Sequence, residues 1–192
     1  MRSRSYNRVA WSAAPGDYRE FAAAAIASAE GPLLEVAAGS AAATAELHAG
    51  SRRPAVLVDL SRAMLERAAR RIAAAGGTQE GPAGIRLVQA DLFALPFGPS
   101  RFTTVLGLGL THLFDDLPAL VAALRVPLVP AGRLHLAGLV AETRRGRLYL
   151  ELLHRAGEVA APRSAAELHG ALGRPTDFRT TGCMAYATLP AA

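Results

Sequence analysis

The chain has 192 residues, 51% hydrophobic and 19% charged, which is enough apolar material for one domain with a buried core and argues against intrinsic disorder. The net charge of +5 comes entirely from arginine, 21 residues against 16 Asp and Glu with no lysine, so the pI near 10.3 partly reflects guanidinium chemistry and does not by itself indicate a nucleic-acid partner. The single cysteine, Cys183, excludes an intramolecular disulfide and a multi-cysteine zinc site, and no apolar run reaches the roughly 18–20 residues of a membrane span.

After Pro15-Gly16, an Ala-rich stretch over 17–29 predicts a helix. Residues 32–37 form a short apolar run of the kind found in a buried parallel strand, and 44–49 read as a helix stopping at Gly50. A second strand is predicted over 54–58, closed by Asp59, with Ser61 as the N-cap of a helix that buries Met64, Leu65, Ala68 and Ile72. Gly76-Gly77 ends that helix, and a Gly/Pro loop leads to Gly84. Strands follow at 85–88 and 102–108, then a helix opened by Asp115 and Asp116 and running through Leu120 and Leu124. Pro130-Ala131-Gly132 reads as a turn before a fifth strand at 133–140. An amphipathic helix is predicted at 147–158, and Ser164 with Glu167 has capping-box spacing for a helix stopped by Gly173. Two short strands, one holding Cys183, are expected over 177–189 about Gly182.

This alternation predicts a doubly wound α/β fold with a mostly parallel sheet and a C-terminal antiparallel hairpin. One domain over 1–192 is expected: an N-terminal segment and helix to residue 30, a ligand-binding core at 31–140, and closing elements at 141–192. Met1-Arg2-Ser3-Arg4 has no apolar segment behind it, so a cytoplasmic location is expected. The absence of lysine, the 42 alanines and the three isoleucines suggest a GC-rich bacterial genome.

Ligands of such sheets sit beyond the carboxyl ends of the strands. There Glu35, Asp59 and Asp91 close three successive strands, and burying three acids without a ligand would cost desolvation for no gain. Gly39 removes a Cβ where a ligand would approach the backbone. The segment Leu34-Glu35-Val36-Ala37-Ala38-Gly39-Ser40-Ala41 resembles the glycine-rich loop of the class I S-adenosylmethionine-dependent methyltransferases. Val58-Asp59-Leu60-Ser61-Arg62-Ala63-Met64-Leu65 is similar to their D-x-S-x-x-M-L, and Ala90-Asp91-Leu92-Phe93-Ala94-Leu95-Pro96-Phe97 to their D-A-x-x-L-P-F. Phe102 through His112 and Pro130-Ala131-Gly132-Arg133 resemble F-D-x-V…L-H-H and P-G-G-R, which brings the likeness closest to the small-molecule ubiquinone/menaquinone C-methyltransferase-like group. The chain departs from the pattern at Ala37 and Ala41, where glycines stand, and at Thr103, Thr111 and Val129, which replace an acid, a His and a Lys.

The resemblance implies S-adenosylmethionine as cofactor, S-adenosylhomocysteine as product and a small-molecule methyl acceptor. It implies ribose on Asp59, the adenine amine on Asp91, the ring edge on the Leu92 N–H, and Leu60 and Met64 against the ring faces. Glu35, Ala37 and Gly39 would approach the methionine portion, with a backbone acceptor near Gly107 or Leu108. His112 is the candidate catalytic base, and Tyr6 and Arg8 are candidates to fold over the cofactor. Arg144, Arg145 and Arg147 read as a solvated helix start, and His48, His135, His154 and His169 as structural or solvated. No metal is expected, nucleic acid is not the expected partner, and oligomeric state is left open. Two other readings stand beside this one. The first is a catalytically degenerate binding module, kept open by Ala37 and Ala41. The second is an NAD(P)-binding oxidoreductase, suggested by the twenty residues from Gly39 to Asp59, although G-x-G-x-x-G is absent.

Overall fold

The computed structural model describes residues 15–78 and 84–191. Tyr6, Arg8 and residues 79–83 of the loop before Gly84 lie outside the described residues. In chain order the elements are α1 (Pro15–Ala27), β1 (Leu33–Val36), α2 (Ala45–Ser51), β2 (Ala55–Asp59), α3 (Arg62–Ala74), β3 (Ile85–Gln89) and β4 (Phe102–Gly107). A 3-10 turn (Thr111–Leu113) follows, then α4 (Leu117–Arg125), β5 (Leu128–Leu139), α5 (Arg144–Arg155), α6 (Ala165–Ala171), β6 (Asp177–Thr181) and β7 (Met184–Pro190). The sheet order is β3-β2-β1-β4-β5-β7-β6. Strands β1 to β5 pair in parallel, and β7 runs antiparallel to both β5 and β6. The expected doubly wound sheet with a closing antiparallel pair is the fold observed.

Strand periodicity divides the interior in two. Leu34, Val36, Val105, Leu134 and Leu136 face α4 and α6, packing on Leu117, Leu120, Leu124 and Leu168. Leu33, Leu57, Leu106 and Tyr186 face the other way, toward Phe21 and Ile26 of α1 and Ala68 and Ile72 of α3. Each buried leucine contributes about 1.5–3 kcal/mol, and α4 alone buries three. Glu35 shares the face of Leu33, so the alternation carries its carboxylate toward α2.

Arg53, only 8% exposed, ties the start of this sheet together. Its guanidinium donates to the carbonyls of Ile26 and Gly31 and to the hydroxyls of Thr103 and Thr104. Thr103 Oγ1 in turn donates to the Glu30 carbonyl at 2.8 Å. A hydroxyl accepts from Arg53 and donates to a carbonyl at once, which a carboxylate cannot do. That accounts for threonine at a position where the resemblance has an acid.

The caps form as read: Ser61 accepts from the Met64 N–H, Asp116 from the Ala119 N–H, and Ser164 with Glu167 makes a reciprocal capping box. Five details differ from the sequence expectation. Helix α2 runs past Gly50 to Ser51, whose hydroxyl donates to the His48 carbonyl, and the left-handed residue is Arg52. The 130–132 turn is absorbed into β5 as a register break, where a Cβ on Gly132 would lie 2.9 Å from the Val129 carbonyl. Helix α5 begins three residues early because Thr143 caps it through the Gly146 N–H. Met64 turns outward, leaving Leu65, Ala68 and Ile72 as the buried stripe of α3, and Cys183 falls in the turn between β6 and β7.

Candidate active site

The direction of winding reverses between β1 and β4, so the crevice of this sheet opens at their carboxyl ends. The loop leaving β1 holds Ala37, Gly39 and Ala41 at φ 49°, 53° and 49°. Three alternate left-handed residues curl the backbone, and a Cβ placed on Gly39 would meet nothing within 4 Å. The loop therefore borders open space. Asp59, half-buried at the end of β2, accepts from the Gly39 N–H through Oδ2 at 2.7 Å and from the Ser61 N–H through Oδ1 at 2.8 Å. Each oxygen keeps a lone pair for a further donor.

Beside Asp59 the edge is apolar and open. Leu60 is 67% exposed and Met64 37%. On the next loop Asp91 is exposed and accepts from the Phe93 N–H at 2.9 Å, with Leu92 half-buried behind it. Phe93 packs edge-on against Phe114, ring centroids 5.5 Å apart, and so bridges the loops that follow β3 and β4. At Gly107 a Cβ would lie 2.8 Å from Leu110 Cδ2 and 3.0 Å from Leu136 Cδ2, so a side chain there would require those leucines to shift. Leu108 is half-buried, and Gly109 follows with φ 65°.

Glu35 is 2% exposed. Thr44 Oγ1 donates to Oε1 at 3.1 Å, and His48 Nε2 meets Oε2 at 2.5 Å. Both oxygens are thus engaged from the α2 side. Burial and then the Glu35 charge hold the Tyr18 phenol well above its ordinary value. No sequence motif singles out Thr44 or Tyr18, and His48 reads from sequence as structural or solvated. The legible signal was the four-residue spacing of Thr44 and His48, which puts both on one side of the α2 turn.

His112 lies in the 3-10 turn, where burial lowers its pKa to about 4 and leaves the ring neutral at pH 7. Its Nδ1 accepts from the Leu139 N–H at 3.4 Å, and its carbonyl accepts from Ala160 at 2.9 Å. A neutral imidazole accepting at Nδ1 carries its proton on Nε2, the form that donates. The cavity it shares with Leu139, Leu150, Ala160 and Arg163 is about 10 Å³. Nothing larger than a water fits there.

A methyltransferase-domain family model matches residues 33–132, from the start of β1 to Gly132 in β5. The chain belongs to the methyltransferase-domain family. No protein of curated function matches it. Among solved structures, the methyltransferase fold is shared with geranyl diphosphate C-methyltransferase from Streptomyces coelicolor A3(2), at TM-score 0.72 and 14% identity over 92% of this chain and 77% of that one. A possible histamine N-methyltransferase from Thermotoga maritima matches at TM-score 0.66 and 16% identity, covering 91% of each chain. A methyltransferase-like protein from Bacillus halodurans C-125 matches at TM-score 0.66 and 20% identity, over 85% of this chain and 71% of that one.

Geranyl diphosphate methyltransferases of this fold are seen in complex with S-adenosylmethionine or S-adenosyl-L-homocysteine, and the residues present here fit that cofactor. The space over Gly39 is open, Asp59 offers free acceptor capacity, and Leu60 and Met64 stand exposed beside it as apolar faces. Among the described residues no group of three or more His, Cys, Asp or Glu is placed to hold a metal ion, and no helix is long and apolar enough to cross a membrane.

Proposed function

We propose that the chain transfers a methyl group from S-adenosylmethionine to a small-molecule acceptor at the carboxyl edge between β1 and β4. The observation that carries this reading is the loop conformation. Ala37 and Ala41 keep the left-handed backbone that glycine would take, which supports an intact cradle despite the two added methyls. Asp59 receives the ribose hydroxyls and Asp91 the adenine amine, with Leu92, Leu60 and Met64 around the ring. The loop at Ala37 and Gly39, with Gly107 and Leu108 opposite, borders the methionine portion. Glu35 acts on that portion through the loop it anchors.

When bound, S-adenosylmethionine supplies a methyl group already activated by its sulfonium. What remains for the protein is alignment and exclusion of water. Phe93, Leu113 and Phe114 form an apolar rim on the acceptor side, and Phe93 and Leu113 are 50% and 43% exposed. Arg163 donates to the Phe114 and Asp115 carbonyls, which pins that rim to the segment before α6. His112 serves as a neutral wall and donor rather than a base. An apolar small acceptor suits this rim, in keeping with the ubiquinone/menaquinone C-methyltransferase-like motifs at 58–65 and 90–97.

Calorimetric titration with S-adenosylhomocysteine tests the cofactor reading. Ligand at 100 times its Kd adds about 2.7 kcal/mol to apparent stability, a melting shift of several degrees. No heat and no shift at millimolar ligand would support the degenerate-module reading, and a shift with NADH alone would support the dinucleotide reading.

A further inference from the structure

We propose that His48 is a positioning residue for the cofactor, acting by clamping Glu35 so that the loop over 37–43 is closed at both ends. The role rests on the cofactor reading above. Glu35 lies just before that loop and Thr44 and His48 just after it, so one carboxylate joins its entry to its exit. The loop needs such a tie, because Ala37 and Ala41 sit in a backbone region that alanine leaves readily.

The pair is poorly suited to be a simple fastener. The Glu35 and His48 side chains are 3% and 1% exposed, and removing both from water costs much of what their attraction returns. His48 Nδ1 is buried with no hydrogen-bond partner among the described residues, a further cost. Two apolar side chains would join β1 to α2 more cheaply. An imidazole offers what they cannot: a donor on a short, stiff side chain that fixes where the carboxylate sits.

The same carboxylate is felt by a side chain next to the loop after β4. Its charge acts on Tyr18 of α1, whose hydroxyl lies 3.5 Å from where a Cβ on Gly109 would stand. Tyr18 thus stands beside the loop after β4, while the clamp itself joins β1 to α2. Thr44, the N-cap position of α2, accepts no N–H with its side chain and spends its hydroxyl on Glu35.

The test is S-adenosylhomocysteine titration with thermal unfolding of the free protein for wild type, His48→Gln, His48→Leu and the double variant Glu35→Leu/His48→Leu. The double variant strands no buried charge, so it should melt within a few degrees of wild type and bind at least about 10-fold more weakly, as expected for loss of a charge-assisted hydrogen bond. His48→Gln, whose amide donates to Glu35, should bind within about 3-fold of wild type, and His48→Leu should resemble the double variant in affinity. Wild-type affinity in the double variant would overturn the proposal, as would affinity that falls only in step with melting temperature. If wild type fails to bind S-adenosylhomocysteine, the cofactor reading falls and this one with it. A binding wild type with unaffected variants removes this proposal alone.

Discussion

The backbone N–H of Gly39 donates to Asp59 Oδ2 at 2.7 Å across twenty residues of chain, joining the loop after β1 to the end of β2. One carboxylate thereby shapes the cradle and presents acceptor capacity to whatever occupies it. Loop position and ligand affinity should respond together when it is altered.

Asp59→Ala should weaken S-adenosylhomocysteine binding by about 10- to 100-fold, the equivalent of one or two hydrogen bonds to a charged acceptor. Folding should lose only about 1–2 kcal/mol, because the Gly39 and Ser61 amides sit near water. Asp59→Asn, which keeps one acceptor oxygen, should fall between. Calorimetry beside urea unfolding separates the two effects, and unchanged affinity in a folded Asp59→Ala would remove the residue from the site.

Ala37 and Ala41 share a φ of 49° but not their surroundings. Glycine relieves about 1 kcal/mol or more of left-handed strain at each and costs about 0.4–1 kcal/mol through the unfolded chain. Ala41 is 2% exposed, so glycine there also gives up a buried methyl worth about 0.8 kcal/mol. Ala37→Gly should be neutral to slightly stabilising and Ala41→Gly less stable than it by about 0.8 kcal/mol. Urea midpoints at constant m-value decide the order.

Much of this architecture could be read from the residues, because β2, β3 and β4 are short runs rich in apolar residues that close on Asp59, Gln89 and Gly107, and that signal is local. Ser61, Asp116 and Ser164 announced their helices for the same reason. The Thr143 cap was missed because Arg144 and Arg145 gave no apolar start to anchor it. The Pro130-Ala131-Gly132 turn was misread because a bulge and a turn use the same residues, and only the neighbouring strand β4 distinguishes them. Asp59 stands at the carboxyl edge as the last residue of β2, and Asp91 follows on the loop that begins when β3 ends at Gln89. The interior position of Glu35 depends on which face of β1 meets α2, and that is a property of packing.

Arg53→Leu should cost about 3 kcal/mol or more, since it strands the carbonyls of Ile26 and Gly31 and two threonine hydroxyls. Arg53→Lys keeps the charge but loses the planar fork, and should recover less than half of that loss. Equilibrium urea unfolding checks both, and a near-neutral Arg53→Leu would show that the four acceptors find water instead.

Acid should destabilise the protein through two histidines. Burial lowers His112 to about 4, and burial followed by the Arg133 and Arg53 charges lowers His135 to about 4. The unfolded chain then binds more protons between about pH 6.5 and pH 4, so stability is full above that window and is lost as pH falls through it. Shifts of this size amount to about 3 kcal/mol per group. Stability measured from pH 7 to pH 4 should fall less steeply in His112→Gln/His135→Gln than in wild type. Equal slopes would show that neither ring is held neutral.

His112→Gln should leave single-turnover methyl transfer within about 10-fold of wild type once an acceptor is in hand. Loss of a general base removes 10²-fold or more. Glutamine can still accept from the Leu139 N–H, so the wall survives. A loss beyond about 100-fold with cofactor binding intact would restore the base role.

Strand β7 lies between β5 and β6, although it is the last of the three in the chain. On the ribosome, β5 must therefore wait with one edge bare until Pro190 has emerged, even after five parallel strands are available to assemble. That edge carries Leu134 and Leu136, a template for any passing strand. The nascent chain is most exposed to misassociation in the interval between the synthesis of residues 139 and 190, and a stop codon before residue 184 would make that interval permanent.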